Sequence, residues 1–252
     1  MTKLLKMDIH QLFHRKPLYI MAIVLSAMTC SMLFLPDPST MSIQSVLGVM
    51  NGVSMDNFMS AGSGLGLVYT LMCIMLSFFV CDDFSSGFAK NIFTVHANRF
   101  DYIASKILSM SLASAVLMLL SLVESIGYCL FSGITVGSIG GIAVFWIEKW
   151  LLSSAFAAAI LFVSLLFRNK GLGFLFACLL GTGGLVMGVE WGLEALHVPF
   201  TDLILGMTMY GASTVPTLQF NVVEFLHVLL ASAVWTVFYS VLSVIVLKKK
   251  DV

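Results

Sequence analysis

Charge is scarce in this chain: only 10% of its 252 residues are Asp, Glu, Lys or Arg, against roughly a quarter in ordinary soluble domains. With 59% of the residues apolar, there is too little polar surface to cover a water-soluble globule, which excludes a free soluble domain. The formal net charge is zero, so no electrostatic ground exists for a nucleic-acid partner. No C-x-x-C pair occurs among Cys30, Cys73, Cys81, Cys129 and Cys178. All five lie in or at the ends of apolar runs and read as small packing residues, with a Cys30–Cys129 disulfide at the outer surface as the one alternative. A G-x-x-x-x-G-K-[ST] phosphate loop is also missing, so the chain does not bind and hydrolyse ATP by that route. Low-complexity tracts, long linkers and internal repeats are absent, which leaves a single domain.

What the chain has instead is long apolar runs. A membrane span needs about 20 mostly apolar residues, and six stretches qualify: 18–35, 61–81, 107–131, 142–167, 171–189 and 223–247. The fourth has an alternative start near Trp150. Twelve of the thirteen basic residues fall in four groups separated by these runs: Lys3, Lys6, Arg15 and Lys16; Lys90, Arg99 and Lys106; Arg168 and Lys170; Lys248, Lys249 and Lys250. Basic residues beside spans stay in the cytoplasm, so every second connection and both termini are expected inside. The fold class expected is an all-α membrane protein of six transmembrane helices in one domain, 1–252.

Residues 1–17 form a long polar lead without a small-x-small cleavage pattern after the first run, so that run is expected to stay in the mature chain. Ala27, Met28 and Thr29 are also a poor lipidation context for Cys30. Leu5, Ile9, Leu12 and Phe13 share one helical face of the lead, opposite Lys3, Lys6, His10 and His14, which predicts an amphipathic helix on the inner membrane surface. Inside, 82–106 is the longest connection between spans, with Phe84, Phe88, Ile92 and Val95 at helical spacing. Outside, Ile43, Val46, Leu47 and Met50 predict a short helix, and the acidic, apolar stretch 190–221 is expected to fold back on the membrane face.

The segment Asp82-Asp83-Phe84-Ser85-Ser86-Gly87-Phe88-Ala89-Lys90-Asn91, followed by Asn98-Arg99-Phe100-Asp101-Tyr102 and Lys106, resembles the loop between the second and third spans of ABC-2 type ABC transporter permeases. In those proteins an acidic end of the second span leads through a small-residue turn and a short helix to an Arg-aromatic stretch and a Lys opening the third. The resemblance implies a coupling helix that docks in a cleft of a separate ATPase. Phe84 and Phe88 would be its buried anchors, Asp82, Asp83, Lys90 and Arg99 its polar rim, and Gly87 a point of close approach or bend. It further implies a permease subunit in a bacterial plasma membrane, not itself an enzyme, paired with a second permease copy or homologue. Two ATPase subunits would carry ATP and Mg, leaving no cofactor on this chain. The cargo implied is amphipathic or hydrophobic, such as an antimicrobial peptide, a peptide toxin or a drug.

Ionisable residues inside the bilayer are costly and are functional candidates. Glu124 in the third run, with Glu148 and Lys149 near the outer side of the fourth, form such a set, and a Glu124–Lys149 pair would neutralise two of them. Alternatively, Trp146 and Trp150 flank Glu148 and Lys149 as an interfacial aromatic belt. Other function classes stay open: a proton- or ion-coupled secondary transporter using Glu124, or an intramembrane serine hydrolase using Ser63 and His227. Glu190, Glu194 and His197 share a helical face, but three loosely spaced ligands argue weakly for a metal. Small residues Gly62, Gly64, Gly66, Ser153, Ala157, Gly184 and Gly188 mark close helix packing.

Overall fold

The computed structural model describes residues 2–14, 16–31, 65–95, 98–131, 139–196, 205–214, 216 and 221–249. Helices account for almost all of them, and no strand occurs among the described residues. Four helices are long and apolar enough to cross a membrane, or five if one sharply bent pair counts as a single span.

Helix α1 (Thr2–His14) is followed by α2 (Lys16–Ser31). The inner line of α1 is Leu4, Asp8 and Leu12, spaced four apart, and it packs on α5 (Arg99–Phe131). Asp8, an acid, sits fully buried at the centre of that line, so the inner face of α1 is taken up by contacts with the bundle. Only Lys16–Ala27 of α2 is a continuous apolar segment, shorter than a span, and residues 32–35 of the expected first run lie outside the described residues.

Helix α3 (Leu65–Ser85) ends where Ser86 N and the Ser86 hydroxyl both turn back to the Asp82 carbonyl, at 2.9 and 2.7 Å. Gly87 then takes φ +73°, the left-handed conformation that glycine enters without a Cβ penalty, and α4 (Phe88–Val95) begins. A Cβ on Gly87 would meet nothing within 4 Å, so this glycine makes the bend and is not a close-approach point. Asn98 opens α5 by accepting Phe100 N at 3.2 Å. At about 1.5 Å per residue, the 33 residues of α5 run well beyond a bilayer core.

Helix α6 (Ile139–Phe167) is the centre of the bundle, packed on α3, α5, α7 (Lys170–Gly181) and α10 (Val222–Lys249). Ala155, Ala157, Ala158 and Ala159 are all buried, and their small side chains let four neighbours approach one helix. By contrast α10 turns most of its surface outward, with Val223, Leu230, Val234 and Val237 exposed as a lipid-facing surface would be.

The fifth run, expected as one span over 171–189, is broken. Helix α7 ends at Gly181, α8 (Gly184–Ala195) leaves at 64° to it, and Gly183 between them has φ +78°. A Cβ at Gly183 would overlap the Tyr210 ring, so backbone conformation and packing both require glycine here. Beyond α8, the short helix α9 (Met209–Thr214) packs on α6 and α10.

Candidate functional site at the basic end of the bundle

The expected cytoplasmic connection 82–106 folds back on its own bundle around one buried ammonium. Lys106, two turns into α5, lies 2.8 Å from Asp8 Oδ1 on α1 and 2.7 Å from Asp83 Oδ2 on α3. The three side chains are 0%, 0% and 1% exposed, so this is an ion triad without access to water. Hydrogen bonds and a ring contact complete the cluster. Ser105 Oγ donates to Asp8 Oδ2 at 2.5 Å, Tyr102 OH donates to Asp83 Oδ2 at 3.2 Å, and the Lys106 ammonium lies 3.7 Å from the Phe79 ring centroid.

Tyr102 extends the triad to the coupling segment. Its ring meets Phe93 of α4 edge-on at 5.2 Å and Phe84 of α3 at 6.5 Å. Ala89 and Ile92 bury the inner face of α4, while Phe84 and Phe88 are half-buried against the core. The turn after α6 closes the cluster: the Arg168 guanidinium stacks 4.6 Å from the Phe84 centroid, and Lys170 pairs with Asp82 at 2.5 Å on the surface. The surface pair contributes little, whereas removing one member of a buried pair is costly.

The structure therefore separates two neighbours that the sequence reading treated alike. Asp82 is half-exposed and able to form a rim; Asp83 is buried and ion-paired, which corrects its assignment to a polar rim. Arg99 is partly exposed at the start of α5, and the Lys90 side chain lies outside the described residues. Asp8, Ser105 and Arg168 were missed as site residues. Asp8 was legible as the single acid before position 37, four residues from both Leu4 and Leu12.

The intramembrane charges do not form the expected Glu124–Lys149 pair. Glu124 Oε1 accepts from Ser26 Oγ of α2, and its other oxygen has no partner among the described residues. Lys149 donates instead to the Ser213 carbonyl, holding the end of α9 against α6, and its own carbonyl accepts from Tyr69 OH at 2.9 Å. Glu148 and Lys149 are both buried on α6, and Trp150 Nε1 donates to the Ser111 carbonyl at 2.8 Å. Helix α6 begins at Ile139, and Trp146 and Trp150 are partly buried against the core. His227 is described on α10, whereas Ser63 and His197, and with them the serine pair and the three-ligand set, lie outside the described residues.

A search of curated proteins gives no match. A family model described as "ABC-2 family transporter protein" matches residues 4–184, more than half of the chain. The match runs from α1 to the first residue of α8 and includes Asp8, Asp83, Lys106 and Arg168.

Proposed function

The chain belongs to the ABC-2 family of transporter proteins, and from that premise we propose that it is the membrane subunit of an ATP-driven exporter. Its spans number six, with both termini in the cytoplasm, and its partners are a second permease copy or homologue and two ATPase subunits carrying ATP and Mg. The partner does the hydrolysis; this chain moves an amphipathic or hydrophobic cargo, a peptide or drug, out across a bacterial plasma membrane. The fifth span would then bend at Thr182-Gly183 before leaving the bilayer.

The observation that supports this reading most is the Lys106 triad, because it explains how force on a surface helix would reach the bilayer. The ATPase would grip α4 and the α3–α4 turn through Phe88 and the exposed side of Phe84, with Asp82 and Arg99 at the edge. Displacement of α4 would act on Tyr102 through Phe93. Separating Lys106 from either carboxylate inside the protein would strand a buried charge, so α1, α3 and α5 would shift together instead of shearing apart. Co-purification tests the reading: the full chain is expected to retain an ATPase bearing a phosphate loop, and transport in vesicles is expected to stop without ATP. Transport that persists on an ion gradient after ATP is removed would contradict it.

A further inference from the structure

The turn between α6 and α7 is joined to the coupling segment at two points, the Lys170–Asp82 pair at 2.5 Å and the Arg168–Phe84 stack at 4.6 Å. Asn169 between them is fixed by capping α7, accepting Gly171 N at 2.8 Å. Arg168 has φ +52°, a left-handed conformation that an L side chain enters at a cost, with its own N–H closing α6 on the Ser164 carbonyl at 2.9 Å. The Phe84 ring, 4.6 Å from the guanidinium carbon, offers no oxygen acceptor to its N–H donors. Nε and Nη2 are both covered by the chain and meet no acceptor among the described residues. Those two nitrogens form one edge of the guanidinium, the edge that grips a carboxylate side-on through two parallel hydrogen bonds. Buried donors without acceptors are costly, so this arrangement is one that an arriving acid would improve.

We propose that Arg168 is a docking residue for the ATPase subunit, its Nε–Nη2 edge receiving the carboxylate of an Asp or Glu on that partner when Phe84 turns toward the ATPase cleft. The proposal rests on the exporter reading above. It makes the α6–α7 turn a second part of the docking surface, cross-braced to the first by Lys170 and Phe84. A partner residue engaged there would pull on α6, the helix that touches most of the bundle.

The test uses the full chain in lipid and the phosphate-loop ATPase that co-purifies with it, identified by mass spectrometry and titrated back onto each variant. Arg168→Gly suits the positive φ, so it removes the guanidinium while relieving backbone strain. It is expected to weaken ATPase binding by about tenfold or more, the loss of a charge-assisted pair, with no fall in unfolding temperature. Arg168→Lys should bind with intermediate affinity, and a zero-length carbodiimide should link the introduced lysine to an acidic residue of the ATPase. If Arg168→Gly binds as tightly as wild type while Phe88→Ala does not, the exporter reading stands and the docking role of Arg168 is overturned. If neither substitution alters binding, or no such ATPase co-purifies, the reading and the proposal fall together.

Discussion

Lys106 and Asp8 are 98 positions apart in the chain, yet their side chains meet at 2.8 Å with neither exposed to solvent. The contact fastens the first helix of the protein to the third long apolar run, and Asp83 joins from the second side at 2.7 Å. One cation is thus shared by two carboxylates on different helices, and the three substitutions that disturb it are not equivalent.

Lys106→Met leaves two buried carboxylates without a cation and is expected to destabilise the protein by about 3–5 kcal/mol. Asp8→Asn and Asp83→Asn each leave a neutralised one-to-one pair, so each should cost less than Lys106→Met. Thermal unfolding in lipid or detergent checks the order; equal effects would mean that the triad is not a unit.

Tyr102→Phe keeps the ring contacts with Phe84 and Phe93 and removes only the hydroxyl that donates to Asp83. A loss of about 1 kcal/mol is expected. Tyr102→Leu removes the aromatic bridge as well, and limited proteolysis should then cut within 86–98 faster than in Tyr102→Phe.

Two glycines with positive φ separate backbone strain from packing. Gly87→Ala meets open space and should cost only the left-handed penalty, about 1–2 kcal/mol. Gly183→Ala also meets the Tyr210 ring and should be clearly worse, with partial recovery when Tyr210→Ala is added. The difference in unfolding temperature between the single and double variants measures the packing part.

Much of this architecture was readable from the chain. The runs that became α3, α5, α6 and α10 are long and nearly free of charge, and apolar length alone determines that such helices form. Depth along a helix was readable too; direction around it was not. Glu124 and Lys149 were expected to pair from depth, but a residue's facing depends on packing, and each found a hydroxyl or carbonyl on another helix instead. Asp82 and Asp83 illustrate the same point, since consecutive residues on a helix point roughly 100° apart and only one can face the bundle. The bend at Gly183 was hidden because Gly183 and Gly184 resemble the small residues of a packing seam, and the positive φ and the Tyr210 ring that set Gly183 apart appear only in the fold.

Lys149→Met removes the donor that holds the Ser213 carbonyl. Hydrogen exchange across 205–214 is expected to rise while exchange across 82–106 stays unchanged, because the two sites lie at opposite ends of the bundle. Parallel changes in both segments would show that the substitution loosens the whole fold.

The central claim is that the Lys106 triad carries motion from the coupling segment into the bundle. The most direct measurement places a spin label at Trp191, exposed on α8, and records its spectrum in lipid with the co-purifying ATPase before and after ATP is added. In otherwise unaltered protein the label is expected to change mobility with ATP. In Lys106→Met the ATPase should still bind while that change is lost. An ATP-dependent change that survives Lys106→Met with full amplitude would contradict the account.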